Sequence, residues 1–186
     1  MIIAITGLKR SGKNTISKYI HDNYKFTEYA FARPIKLVSY LLFGWNEDDD
    51  ETLKEIIDEN WGISRRQFWQ WLGTDAFQKS LPDTYPLFKQ TVGRNFWVKI
   101  FDSIYKKNKK DYVISDFRFP HEKEYLESKN AITIQAINPN LNICDNHESE
   151  MYIRDLETDF IIINDGTLEE LYQKIDEIMK QIHKEE

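Results

Sequence analysis

A parallel β-sheet covered on both faces by helices is the fold class this sequence predicts, and three observations predict it. Short apolar runs alternate with segments whose apolar residues recur every three or four positions, the order expected of strands joined by helical crossovers. The first run, residues 2–6, feeds straight into a glycine-bearing turn, GLKRSGKNT at residues 7–15, and then into a helical pattern. At 186 residues, 41% of them hydrophobic, the chain is long enough to bury one sizeable core, which predicts a single domain.

The elements follow in order. Residues 2–6 have the continuous apolar character of a strand buried on both faces. From Lys13, Ile16, Tyr19 and Ile20 recur at helical spacing, and residues 29–32 read as a second short strand. Pro34 stands at the start of a helix carrying Ile35, Val38, Leu41 and Leu42. The acidic run NEDDDE, residues 46–51, reads as a solvated loop and the negative first turn of the next helix. Residues 64–72 form a further helix, which Gly73 ends, and Gly93 precedes a helix with the stripe Trp97, Ile100, Phe101, Ile104 and Tyr105. Residues 112–116 are a strand closing on an acid, 121–129 a helix, and 131–137 and 160–163 strands. The turn NDGT then leads into a last helix whose stripe is Leu168, Leu171, Tyr172, Ile175, Met179 and Ile182. The five tryptophans read mostly as core, although Trp71 and Trp97 could stack on a base.

A formal charge of −6 argues against a nucleic-acid backbone as the main partner, since phosphate contacts along a duplex need a basic surface. Cys144 is the sole cysteine, so no internal disulfide forms, and a reducing, cytoplasmic setting is expected (the host cytoplasm for a viral protein). The start has too short an apolar run for a signal peptide and no stretch is apolar enough for a membrane span, so no membrane partner is expected. HESE, residues 147–150, fits no zinc spacing and is read as non-metal.

Chemistry enters at residues 7–15. Backbone N–H groups of a glycine loop opening a helix, aided by the helix dipole, cradle phosphate oxygens, and Lys13 can reach the β- and γ-phosphates. The hydroxyl usual after that lysine is replaced by Asn14 and arrives one place later, at Thr15. Asp116 ends an apolar strand a hundred residues on, where a carboxylate can orient Mg²⁺ or its waters. Transfer of a phosphoryl group also needs cations, for which Lys9, Arg10, Lys36, Arg65, Arg66, Arg118 and Arg154 are candidates.

Together these motifs resemble the deoxynucleoside monophosphate kinases of T-even and other tailed phages, within the P-loop kinase superfamily. The resemblance runs nearly end to end: GLKRSGKNT, ARPIK at 32–36, RRQFWQWLGTD at 65–75, FWVKIF at 96–101, VISDFRFPHE at 113–122 and IINDGTLEELYQKI at 162–175. The phosphate loop is specific only to the superfamily, whereas LGTD, WVK and D-x-R-x-x-x-E in this order are much narrower. The late hydroxyl is a family trait, since the family loop resembles GKDT, and Asn14 for Asp is the local departure.

The resemblance implies a P-loop kinase that passes the γ-phosphoryl group of ATP to a deoxynucleoside 5′-monophosphate, with Mg²⁺. It places ATP on Lys9, Arg10, Ser11, Gly12, Lys13, Asn14 and Thr15, and Mg²⁺ on Thr15 and Asp116. The acceptor would draw on Ile35, Lys36, Arg66, Gly73, Thr74, Trp97, Lys99, Asp116, Arg118, Glu122 and Glu150, with Lys13, Arg66, Asp116 and Arg118 as catalytic groups. Arg66 matches the family arginine better than Arg65. An acceptor-binding helical region is expected at about 33–110 and a lid-like segment at about 138–156. The chain is shorter than the T-even phage proteins between residues 45 and 61, and a homodimer is compatible with the resemblance. The rival readings are a P-loop kinase for another small acceptor, such as dephospho-coenzyme A, and a nucleotide-binding switch without acceptor. Against the switch, no Asp-x-x-Gly follows the strand that ends at Asp116.

Overall fold

The computed structural model describes residues 1–141, 152–153 and 156–184. The chain divides into two compact units, Met1–Ala30 with Asn108–Glu186 and, inserted between them in sequence, Phe31–Lys107.

The first unit is built on five strands: β1 (Ile2–Thr6), β2 (Thr27–Tyr29), β5 (Tyr112–Ile114), β6 (Ile132–Ile137) and β7 (Phe160–Ile163), in the spatial order β2-β5-β1-β6-β7 and all parallel. Every residue of β1 is buried, so the central strand is covered on both faces, which explains its unbroken apolar run. Ile3 and Ile5 point to one face, as the two-residue period requires, and join a core with Ile16 and Ile20 of α1 (Lys13–Tyr24) and Ile175 and Met179 of α9 (Leu168–Ile182). A reciprocal cap starts α9: the Glu170 N–H donates to Thr167 Oγ1 at 3.3 Å, and Glu170 Oε2 accepts from the Thr167 N–H at 2.7 Å. α8 (Pro120–Ser128) follows β5 in the chain.

The second strand is shifted from its expected place at 29–32. Only Thr27–Tyr29 carry ladder bonds to β5, because the chain turns at Phe31 and Ala32 to enter α2 (Arg33–Phe43). Phe31 is buried all the same, which is why the apolar signal outlasts the strand.

The second unit is mainly helical. α2 is followed by a 3₁₀ turn at Glu47–Asp49, α3 (Asp50–Leu53), an antiparallel pair of two-residue strands β3 (Ile57–Asp58) and β4 (Ile63–Ser64), and α4 (Arg65–Gln70). A π-helical stretch, Trp71–Ser80, runs on from α4 into α5 (Leu81–Thr84), before α6 (Pro86–Thr91) and α7 (Phe96–Asn108). Gly73 therefore does not end the helix. It lacks the positive φ of a C-terminal glycine, and its role is close packing: a Cβ there would stand 2.8 Å from Ile35 Cδ1.

Three further expectations change. On α2, Ile35 and Ser39 face inward, while Val38, Leu41 and Leu42 are exposed, so the helix buries a narrower stripe than its apolar content suggests. Of the tryptophans, Trp45 and Trp97 are buried, but Trp61 and Trp71 are about half exposed, at 52% and 51%. The acidic run is not wholly solvated, since Asp50 is only 4% exposed. Among the described residues no helix is long and apolar enough to cross a membrane.

Candidate active site

The phosphate loop lies between the C-terminal end of β1 and the start of α1. Gly7 has φ 146° and Gly12 φ 103°, conformations that side chains disfavour, and Arg10 takes the left-handed region at φ 64°. Space also excludes side chains: a Cβ on Gly7 would stand 2.3 Å from the Ala136 carbonyl oxygen. The Ser11 N–H closes a turn onto the Leu8 carbonyl at 3.1 Å. Lys13 is 8% exposed, and its Nζ donates to the carbonyls of Gly7 and Leu8, each at 2.7 Å. An ammonium is thus held at the centre of its own loop by carbonyl oxygens, contacts that an anion can replace. The hydroxyls Thr6 Oγ1 and Ser11 Oγ are buried and have no hydrogen-bond partner among the described residues. Of the other loop residues, Arg10 and Asn14 are exposed, and Lys9 and Thr15 are half-buried.

β5 runs parallel beside β1, with Ile2, Ile3 and Ala4 paired with Tyr112, Val113 and Ile114; its ladder ends at Ile114, so Asp116 lies two residues beyond the carboxyl end of β5 rather than closing the strand. β1 also lies where the chain connections diverge to the two sides of the sheet, and ligands of open parallel sheets bind off the carboxyl ends of the strands at such a point.

Glu122, in the first turn of α8, is 4% exposed. Its Oε2 accepts from the backbone N–H of Arg118 at 2.6 Å and of Phe119 at 3.0 Å, which fixes the backbone carrying the Arg118 guanidinium. Burial pushes the Glu122 carboxyl up to about 8; the Arg118 N–H opposes this, and the nearby Asp116 charge adds to it.

The second unit gathers most of its predicted site residues through two clusters. Trp97 Nε1 donates to the Gly73 carbonyl at 2.8 Å, Gly73 packs on Ile35, and Thr74 beside it is buried. Asp50 is the hub of the other cluster. Oδ2 accepts from Lys36 Nζ at 2.9 Å and from the Tyr40 hydroxyl, while Oδ1 accepts from Arg65 Nη1 at 2.7 Å. Burial alone would raise the Asp50 carboxyl, but the hydrogen bonds from Tyr40, Lys36 and Arg65 override it and hold the group below its usual range. Arg65 is buried in this network, whereas Arg66 lies 3.6 Å from Glu55 and is more accessible. Lys99 is exposed, and its Nζ donates to the Thr91 carbonyl at 2.6 Å. Glu150, Arg154, and His147 and Glu148 of the HESE run lie outside the described residues, as does most of the expected lid.

Two residues escaped the sequence. Asp50 gave no signal beyond an acidic run, and its partners come from α2 and α4. Asn164 stood in a quoted motif without a role; its Nδ2 donates to the Ser11 carbonyl of the loop at 3.0 Å.

For a divalent ion, no group of three or more His, Cys, Asp or Glu side chains able to hold a metal occurs among the described residues. Thr15 and Asp116 offer a hydroxyl and a carboxylate, a donor set that suits an ion completing its shell with phosphate oxygens and water.

The whole fold matches solved P-loop kinases. Shikimate kinase from Aquifex aeolicus superposes with a TM-score of 0.57 at 12% identity, covering 98% of each chain, and dephospho-CoA kinase from Campylobacter jejuni with 0.51 at 18%, covering 98% of this chain and 97% of that one. At such identities the likeness concerns the fold alone. Sequence comparison is narrower. A protein of Acanthamoeba polyphaga mimivirus, provisionally named a deoxynucleotide monophosphate kinase, is 30% identical over 181 residues, 94% of each chain. The deoxynucleotide monophosphate kinase of Escherichia phage RB69 is 27% identical over 244 residues, covering 96% of this chain and 99% of its own. That alignment is longer than the 186 residues here, so the phage protein carries insertions that this chain lacks. The sequence pattern of one family, deoxynucleotide monophosphate kinase, matches residues 1–61 and 48–175, and with the loop, the strand order and the near full-length relatives in agreement, the chain belongs to that family.

Proposed function

We propose that the protein transfers the γ-phosphoryl group of ATP to the 5′-phosphate of a deoxynucleoside monophosphate, giving ADP and a deoxynucleoside diphosphate. The observation that carries this reading is the phosphate loop after β1, with Lys13 tied to the Gly7 and Leu8 carbonyls and Asp116 two residues past the end of the neighbouring strand β5, in a chain of this family. The triphosphate would lie on the amides of residues 7–15, and Lys13 would exchange its carbonyl partners for β- and γ-phosphate oxygens.

The attacking oxygen of the acceptor phosphate is anionic near neutral pH, so no strong general base is needed. Alignment and charge neutralisation carry the rate. Arg118 and Arg66 would neutralise the acceptor and transferred phosphates. Glu122, neutral near pH 7 by its burial, would hold the Arg118 backbone without adding a second negative charge next to Asp116. Ile35, Gly73, Thr74, Trp97 and Lys36 would receive the deoxynucleoside, and Lys99 and Glu150 complete the proposed acceptor set. Thr15 and Asp116 would hold Mg²⁺, which when bound neutralises charge on the phosphates.

The test is ADP release across a panel of deoxynucleoside monophosphates, their ribose counterparts and dephospho-coenzyme A. Stimulation by at least one deoxynucleoside monophosphate well above the others is expected; stimulation by none, or by dephospho-coenzyme A alone, removes the reading. For Arg118→Ala the acceptor KM should rise. A change confined to the ATP KM would reassign that arginine.

A further inference from the structure

Asn164 is the first residue beyond β7, and its backbone is pinned there: its N–H donates to the Ile137 carbonyl at 2.7 Å, one bond past the β6–β7 ladder. From this anchor the side chain reaches across 153 residues of sequence to the phosphate loop, where Nδ2 donates to the Ser11 carbonyl at 3.0 Å. The contact is shaped on both sides. A Cβ on Gly12 would stand 2.5 Å from Asn164 Nδ2, so the amide occupies the space that only a glycine leaves at this position. Ser11 is 2% exposed, so the captured carbonyl belongs to a buried peptide.

The trans geometry of a peptide gives this bond its consequence. The C=O of Ser11 and the N–H of Gly12 belong to one planar unit and point in opposite directions, since no peptide among the described residues is cis. A donor that takes the Ser11 oxygen on the Asn164 side therefore turns the Gly12 N–H to the other side of the loop. Successive N–H groups turned one way are what makes such a loop an anion cradle. Gly12, with a glycine's freedom in both φ and ψ, is the residue whose flanking peptides most need an external restraint.

We propose that Asn164 is a positioning residue for the nucleotide. Its amide locks the Ser11–Gly12 peptide in the orientation that presents the Gly12 N–H to the triphosphate, so the turn after the last strand acts on phosphate binding through the loop. This rests on the reading of residues 7–15 as the ATP phosphate cradle.

The experiment measures ADP binding by calorimetry, with Mg²⁺, together with the ATP and acceptor KM values. Asn164→Asp keeps the shape but at neutral pH sets a carboxylate against a carbonyl; Asn164→Ala removes the donor. Loss of one buried hydrogen bond corresponds to roughly a 5- to 100-fold fall in ADP affinity, with the acceptor KM unchanged. In Asn164→Asp the affinity should recover relative to the native protein as pH falls toward 5, because a protonated carboxyl can again donate to Ser11. A merely structural role would not produce that profile, and it decides the matter if the alanine variant does not fold. ADP affinity within twofold of native in the aspartate variant at pH 8, or an equal weakening of ADP and acceptor without recovery in acid, overturns the inference. Lys13→Ala separates the two levels: binding that needs Lys13 but ignores Asn164 defeats only the present proposal, whereas binding that ignores Lys13 defeats the cradle reading beneath it.

Discussion

Among the described residues each compact unit buries one carboxylate, and the two are treated in opposite ways. In the sheet unit, Glu122 is surrounded by apolar matter and backbone N–H groups, with Asp116 nearby, and its proton affinity rises. In the helical unit, Asp50 meets an ammonium, a guanidinium and a phenol, and its proton affinity falls. Both residues are 4% exposed, yet burial raises the proton affinity of Glu122 while the hydrogen bonds from Tyr40, Lys36 and Arg65 lower that of Asp50. The difference matches how the units cohere. The sheet unit has a large aliphatic core of Ile, Val and Met on parallel strands. The helical unit has only a two-residue strand pair and depends on an aromatic group, Phe43, Trp45 and Phe68, beside the ionic hub.

The largest effect should come from breaking the hub. Asp50→Ala leaves Arg65 buried without its carboxylate, and removal of one partner from a buried ion pair costs about 3–5 kcal/mol. A denaturant midpoint equivalent to a loss of less than about 1 kcal/mol would show that the hub is incidental to this unit. Lys13→Ala comes next, with kcat expected to fall on the order of a hundredfold or more, about 2.7 kcal/mol of transition-state stabilisation, while the fold persists. Unchanged kcat in the folded variant would contradict its assigned role.

The pH dependence of stability should separate the two carboxylates by sign. Glu122 binds its proton in the native state up to about pH 8 but releases it near 4.5 when unfolded. Between those values the native state holds the extra proton, so stability contributed at this position declines as pH rises, by at most about 1.4 kcal/mol per pH unit. Asp50, with its folded value depressed, contributes stability that is present above about pH 4, its ordinary range, and lost in stronger acid. Chemical denaturation of the nucleotide-free protein at pH 5, 6, 7 and 8 should show a downward slope that Glu122→Gln flattens. An unaltered slope in that variant would mean that Glu122 is ionised in the native state.

The smallest effect is expected for Trp97→Phe, which keeps the ring and removes the donor to Gly73. About 1 kcal/mol of stability should be lost, with the acceptor KM rising more than the ATP KM. Equal changes in both would argue against an acceptor surface around Gly73.

Legibility in the sequence followed the range of the interactions involved. The phosphate loop could be read because strand, turn and helix follow one another without a break from Ile2 to Tyr24 and each glycine is required by local backbone geometry. The last helix was readable for the same reason, through its Thr167 and Glu170 cap and its apolar stripe. Gly73 misled, because a glycine after an apolar stretch signals a helix end, whereas here it makes room for Ile35 from another helix. The exposed end of α2 and the half-exposed Trp61 and Trp71 misled in the same way, since composition does not say which face finds a partner.

By itself the sequence determined the alternation of strands and helices, the loop that opens α1 and the family motifs, because periodicity, glycine placement and residue identity are properties of neighbours along the chain. Only the tertiary structure decided the strand order that sets β5 beside β1, the hub on Asp50 and the grip of Asn164 on Ser11. These join residues far apart in sequence. Their charge state and orientation depend on what packs beside them, which no local pattern encodes.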